Sequence, residues 1–463
     1  MAKIITLFSL IIILLIGDRL RAFSYSTVPS PGESADEYSF AWVGLSLIED
    51  HYPIAWSGLP AYKEHDYQKI NVDGLFNLDP YRPPFAIDKP WFDHPPFFGL
   101  ITGGYSYLKG ARDFIDARTF LIRRPMLKIG ILTTVLIFIL GYKLYGSKTG
   151  LLAALLYSTI PTAVVSSRLA LSENGYIPLF LSALIFFIYY LEKKKNYYWI
   201  LCLVTSSIAF FFKLSAVSIF ISLTLLALYY GKEQKVWMIK TLVLFFLGCV
   251  FLWVVYGVYY DWGTFIKVLS ANSNRFYGGG AEVLFQAISQ FKITTTKYLT
   301  DGWILLGWLS LVLVSVTEFK KSLGVNILTI ASFSYLIIFI ILGSESYGWY
   351  KFPFYPFLFI SIARMLYRLF SEKNIFVLLV FVLLPIGTSV HRLIGVEGFQ
   401  QYVAIFRLCA VFVFGIFILN LRKRGKGVQL LSEIFMFLIF AFAIFFSIKE
   451  ILFITAEKWI SVT

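Results

Sequence analysis

Asp36-Glu37 is a carboxylate pair, and the residues that could work with it are scattered along the chain. They are Asp93-His94 ahead of Pro95-Pro96, Arg168 and Glu173, a lone Lys213, Arg275 before Gly278-Gly279-Gly280, and Tyr350-Lys351 in an aromatic, proline-containing run. A carboxylate can orient an attacking hydroxyl or take its proton. Cations and phenolic hydroxyls can hold a phosphate that carries negative charge or departs with it. Asp93 and His94 are adjacent ligand types and form the candidate pair for a divalent metal. These residues lie far apart in sequence, so the fold must gather them.

The elements that would do so are mostly apolar. The 463 residues are 58% hydrophobic and 15% charged, a composition foreign to soluble globular proteins. Apolar runs recur at about 4–20, 126–144, 150–167, 175–191, 197–212, 214–230, 237–256, 302–317, 324–342, 354–370, 375–390, 401–420 and 429–453, most of them near the length that crosses a bilayer. The expected fold is all-α: a polytopic transmembrane helical bundle of about 13 spans, forming one domain over residues 1–463. Two loops are long, 21–125 and 259–301. Within the first, Pro95–Lys109 is apolar, short and opened by Pro-Pro, which suits an interfacial helix on the outer face.

The formal charge of +14 would suggest nucleic acid in a soluble chain. Here the cations sit in short loops: Lys143 and Lys148, Lys193–Lys195, Lys232 and Lys235, Lys320-Lys321, Arg368 and Lys373, and Arg422–Lys426. That is the positive-inside pattern, with anionic membrane lipid as counter-charge and no nucleic-acid partner. It predicts a multi-pass protein of the cell membrane, with a cytoplasmic N-terminus and both long loops outside. Gly17–Arg21 makes a poor cleavage site, so the first apolar run reads as a retained helix. The three cysteines, Cys202, Cys249 and Cys409, all lie in apolar runs and offer no disulfide or metal framework.

By this parity every candidate residue falls on the outer side. A sugar carried on a membrane lipid needs its phosphate leaving group held by cations, its acceptor hydroxyl met by a carboxylate, and its tail met by an apolar groove. Carboxylates and cations at one interface suit glycosyl transfer from such a lipid. Each residue also has a plainer reading. Asp36 can cap the helix that follows, Glu37 can lie on a solvated face, and Glu173 can pair with Arg168. Lys213 can snorkel, Tyr350 can belong to an aromatic belt, and Arg275 can be a surface charge. His51, His65 and His391 read as ordinary loop residues. A transporter or flippase of lipid-linked sugars is the rival class, and it commonly shows inverted repeats. No fixed-period repeat is visible in this chain. A polysaccharide ligase or polymerase is a second, related alternative.

At these residues the chain resembles the GT-C membrane glycosyltransferases, in the branch of protein O-mannosyltransferases and aminoarabinose (lipid A) transferases, from about 30 to 230 and again at 347–356. The matching phrases are Asp36-Glu37-Tyr38, His94-Pro95-Pro96, Tyr145-Gly146 to Ala154, Arg168 with Glu173, Lys213, and Trp349-Tyr350 to Pro353 and Pro356. The family usually has Lys at the position of His94, Asp at that of Glu173 and Arg at that of Trp349. The resemblance implies transfer of a sugar from a polyprenyl-phosphate donor to a hydroxyl of a protein, lipid or surface glycan, with inversion at the anomeric carbon. It implies Asp36, Glu37 and Glu173 as catalytic carboxylates. His94, Arg168, Lys213 and Tyr350 would bind substrate, with Lys351 or Arg275 replacing the cation missing at Trp349. No nucleotide-binding motif is visible, and no cofactor beyond a possible divalent metal is implied.

Overall fold

The computed structural model describes residues 2–62, 65–74, 85–273, 285, 288, 292–341, 347–422 and 426–460. Arg275 and the triple glycine lie outside the described residues. The fold is a helical membrane bundle. Among the described residues six helices are long and apolar enough to cross a membrane: Thr119–Tyr145, Ser172–Lys193, Lys232–Tyr260, Leu323–Ile341, Ile375–Gly395 and Lys426–Phe453. Shorter apolar helices cover Asn196–Phe210, Leu214–Tyr230, Gly302–Glu318 and Val403–Leu419. The run expected at 150–167 is divided into Ser147–Thr159 and Pro161–Ser166. Ile160 is held extended at φ −79°, ψ 128°, because a residue before proline is driven out of the helical region. Cys202 and Cys249 are buried as expected, whereas Cys409 is exposed.

The first long loop has its own architecture. Helix α1 (Ala2–Ala22) leads into turns and then helix α2 (Asp36–Glu49). Helix α3 (Phe97–Leu108) has 12 residues, too few to span. Between α2 and α3 lies a three-stranded antiparallel sheet that the sequence reading did not anticipate. It comprises β1 (Ala55–Trp56), β2 (Asp66–Gln68) and β3 (Phe85–Asp88), in the order β1-β3-β2. Ala55 faces Asp88 and Tyr67 faces Ala86. Strands of two to four residues are too short to leave a period-2 pattern.

Helices α2 and α3 pack backbone to backbone. A Cβ on Gly44 would lie 1.9 Å from the Gly99 carbonyl oxygen, and one on Gly103 would lie 2.3 Å from the Ala41 carbonyl oxygen. Only glycine permits that approach. Phe40, Ala41, Trp42 and Val43 are buried in the same core as Phe98. The start of α2, with Asp36, and the turn before α3, with His94, are thereby fixed relative to one another.

The described contacts sort the loops into two groups at opposite ends of the bundle. At one end, Phe97 N–H donates to Phe211 O (3.2 Å), Thr295 Oγ1 donates to Glu33 O (2.9 Å), and Tyr260 OH donates to His51 O (3.3 Å). At the other, Lys143 pairs with Glu192 (2.8 Å), Arg364 with Glu318 (3.2 Å) and Lys373 with Glu433 (2.7 Å), and Asn326 donates to Tyr230 OH (2.7 Å). The second group is built from the lysine-rich loops, and the first holds every described candidate residue.

Candidate active site

Asp36 is the first residue of α2. The preceding Ala35 occupies the cap position and makes no side-chain cap bond, which puts Asp36 one place past the cap, in the first turn. Asp36 is partly buried. The neighbouring Glu37 is 1% exposed and turns inward. Arg123 donates to it twice, through Nε at 2.8 Å and Nη2 at 2.7 Å, and the Ala170 N–H donates to Oε1 at 2.7 Å. Arg123 Nη1 goes on to the carbonyls of Tyr25 (3.1 Å) and Pro29 (2.6 Å). Glu37 thus clamps α2 to the start of the helix Arg124–Tyr145 and to the 169–171 turn, away from a solvated face.

Arg168 is also fully buried, where the guanidinium donates to the carbonyls of Leu20 (2.9 Å) and Val28 (3.4 Å). Burial, with Arg123 and Arg21 nearby, pushes it down to about 9. It does not pair with Glu173. That carboxylate, 0% exposed at the first turn of Ser172–Lys193, receives Lys213 Nζ and Ser172 Oγ (3.2 Å). A carboxylate at a helix N-terminus is favoured by the helix dipole, and a buried one needs a cation as close as this.

Lys213 lies in the extended break between Asn196–Phe210 and the helix that follows. Its ammonium also sits 4.4 Å from the centroid of the Tyr350 ring, a cation–π distance. Tyr350 belongs to the 3-10 turn Gly348–Phe354, and its carbonyl accepts from Tyr335 OH at 2.7 Å. Glu173 and Lys213, both buried, and the partly buried Tyr350 therefore meet from three separate elements. Lys351 is next, 6% exposed, and is pushed down to about 7 by burial and by Lys292. Trp349 is buried and stacked on Tyr347 at 4.6 Å.

His94 stacks on Phe40 (5.3 Å, 20°) and meets Trp91 edge-on (6.0 Å). Phe40 also contacts Phe98, and Phe98 contacts Phe212 next to Lys213. An aromatic ladder therefore runs from His94 towards Lys213. Asp93 accepts from Ser57 Oγ (2.6 Å) and Tyr62 OH (2.7 Å), one on each carboxylate oxygen. Among the described residues no group of three His, Cys, Asp or Glu side chains is placed to hold a metal ion. The expected Asp93–His94 metal pair is therefore joined by no third such side chain among the described residues, and each Asp93 oxygen accepts a hydroxyl.

Three features escaped the sequence reading. His65 is no plain loop residue: its Nδ1 lies 2.9 Å from the buried Asp88, whose carboxyl is pushed up to about 8 by burial and by Asp93. Lys292 is 9% exposed, with Nζ 5.2 Å from the Tyr298 ring centroid. Glu33 receives the Trp459 indole N–H on both carboxylate oxygens, at 2.9 and 2.8 Å. None of the three carries a local sequence signal, since each is defined by a partner elsewhere in the chain.

Residues 93–260 match the family described as dolichyl-phosphate-mannose-protein mannosyltransferase. Comparison with curated protein sequences gives no match. The fold is similar to that of ArnT from Cupriavidus metallidurans, at 14% identity and a TM-score of 0.54, over 97% of this chain and 78% of that one. The same protein bound to undecaprenyl phosphate gives 13% and 0.56, over 98% and 78%. An oligosaccharyltransferase from Archaeoglobus fulgidus is similar at 12% identity and a TM-score of 0.54, over 96% of this chain and 55% of that one. The arabinosyltransferase EmbB from Mycobacterium smegmatis is similar at 13% and 0.57, over 95% and 40%. The chain therefore has the fold of the GT-C membrane glycosyltransferases and carries, over residues 93–260, the family signature of the dolichyl-phosphate-mannose-protein mannosyltransferases.

Proposed function

We propose that this protein transfers a sugar from a polyprenyl-phosphate donor to an acceptor hydroxyl on the outer face of the cell membrane. What supports the reading is the partly buried Asp36 at the start of α2, together with Lys213, which is buried against Glu173 and faces the Tyr350 ring, in an apolar bundle. The lysine-rich loops at the opposite end support a cytoplasmic assignment for that end. The count of about 13 spans, the cytoplasmic N-terminus and an interfacial α3 all belong to this reading. The undecaprenyl phosphate bound by the similar ArnT fold supports a lipid-phosphate donor.

The chemistry is a direct displacement. The acceptor oxygen forms a bond to the anomeric carbon as the bond from that carbon to the phosphate oxygen breaks. The electron pair leaves with the lipid phosphate, and the acceptor proton passes to the Asp36 carboxylate. Lys213, Tyr350, His94 and Lys351 hold the phosphate as its charge develops, in a water-poor site where such contacts count for more than in bulk solvent. Arg275 is a further candidate for that role. Glu173 orients Lys213, whereas Glu37 and Arg168 hold the scaffold on which Asp36 sits. A protein, lipid or surface glycan can serve as acceptor, and no step is assigned to a metal.

The test is transfer of radiolabelled mannose from polyprenyl-phosphate mannose, and of other sugars in parallel, in membranes with and without the protein. Label appearing in a protein, lipid or glycan fraction only when the protein is present supports transfer. Label that crosses the membrane still attached to its lipid supports a flippase and sinks the proposal.

A further inference from the structure

Glu33 lies three residues before Asp36 and outside the group that would hold the phosphate. Its contacts reach two remote segments. The carboxylate accepts the Trp459 indole N–H from the C-terminal helix Ala456–Ile460, at 2.9 and 2.8 Å. Its backbone carbonyl accepts from Thr295 Oγ1 at 2.9 Å, and Ser30, Thr294 and Lys297 also favour its charged form. The C-terminal helix is tied in turn to the same segment, because Lys297 Nζ donates to Ile460 O at 2.8 Å. Trp459 is fully buried, and such a donor and acceptor pair is expensive to break once dry.

The segment that Glu33 grips leads directly to the phosphate side. Gly348 N–H donates to Thr294 O at 3.4 Å. A Cβ on Gly348 would lie 2.4 Å from the Lys292 carbonyl oxygen, so the turn carrying Tyr350 and Lys351 rests on residues 292–294. One carboxylate therefore joins the approach to Asp36, the support of the Tyr350 turn and the end of the chain.

We propose that Glu33 and Trp459 are positioning residues: the C-terminal helix is a strap that, through Glu33, sets Asp36 at a fixed distance from the Lys213–Tyr350 group. The inference rests on the transferase reading above. A reacting geometry that slips by about an ångström can lose on the order of a hundredfold in rate. Loss of the strap lowers turnover more than it lowers affinity for the phosphate, since the Lys213–Glu173 pair shares no described bond with Glu33 or Trp459.

The experiment compares Trp459→Phe, Glu33→Ala, Glu33→Gln and Asp36→Asn in the full-length protein, at equal membrane insertion. Transfer from polyprenyl-phosphate mannose and affinity for undecaprenyl phosphate are both measured. Trp459→Phe and Glu33→Ala are expected to lower kcat about tenfold, the loss of one charge-assisted hydrogen bond, with a smaller change in affinity for undecaprenyl phosphate. Glu33→Gln keeps an acceptor oxygen and recovers most of the rate. Parent-like kcat in Trp459→Phe and Glu33→Ala, with Asp36→Asn inactive, overturns the strap and leaves the transferase reading standing. An Asp36→Asn variant as active as the parent sinks that reading instead. Proteinase K supplies a readout independent of transfer: faster cutting within residues 23–35 in Trp459→Phe supports the strap, and an unchanged rate overturns it.

Discussion

The Glu37–Arg123 pair is where the scaffold beneath Asp36 is most open to measurement. Both side chains are essentially dry, at 1% and 0% exposure, and they meet through two hydrogen bonds of 2.8 and 2.7 Å. Arg123→Met leaves the Glu37 carboxylate with the Ala170 N–H as its remaining described donor, and so leaves a buried charge without a counter-ion. Breaking a buried pair from one side costs about 3–5 kcal/mol. Glu37→Gln keeps the shape and one acceptor but strands the guanidinium, a loss at the lower end of that range. The double variant removes both charges, and its cost falls short of the sum of the singles by about 2 kcal/mol or more. Unfolding of the detergent-solubilised protein by titrated SDS, followed by tryptophan fluorescence, measures all three. Additive losses, within about 0.5 kcal/mol, or single losses below about 1 kcal/mol, would refute the clamp. A Glu37→Gln variant of parent stability that has nevertheless lost transfer would return Glu37 to the chemistry.

Other consequences bear on the site directly. Lys213→Met removes the cation facing Tyr350 and strands Glu173, so transfer falls by at least about a hundredfold; Lys213→Arg, which keeps the charge, retains measurable transfer in the same assay. Lys351 sits near 7, so it loses its charge as pH rises through that value. Affinity for undecaprenyl phosphate should therefore decline between about pH 6 and pH 8. Lys351→Met removes that inflection, and a parent profile flat over this range would exclude the lysine from the phosphate. Gly44→Val drives a side chain into the Gly99 carbonyl and should lower both thermal stability and transfer, whereas Gly74→Ala, with no described atom within 4 Å of its added Cβ, leaves transfer unchanged despite its positive φ.

Much of the fold is legible in the sequence because its signals are long. Apolar runs and lysine-rich loops announce a polytopic bundle with two chemically different ends. Ser30-Pro31-Gly32 announces the turns before α2, and the brevity of the 95–109 run excludes a full span. The short sheet is not legible, nor is the glycine contact between α2 and α3, because both depend on partners brought together by the loop itself. The site shows the same division. Lys213 stands out as a lone cation in an apolar turn, and Glu173 follows it through family position. The inward rotation of Glu37 is a matter of helix phase at one residue, and the link between Glu33 and Trp459 spans 426 residues. Arg168 is expected from the sequence as a substrate ligand; its terminal nitrogens hold the carbonyls of Leu20 and Val28, which no local signal foretells, and its buried Nε has no hydrogen-bond partner among the described residues.

The central claim is that Asp36 acts on the acceptor while a separate group holds the lipid phosphate. The most direct measurement sets Asp36→Asn beside the parent, reading undecaprenyl phosphate affinity and sugar transfer in the same preparation. Unchanged affinity with transfer abolished is the predicted result. Transfer at the parent rate, or affinity lost together with transfer, would contradict it.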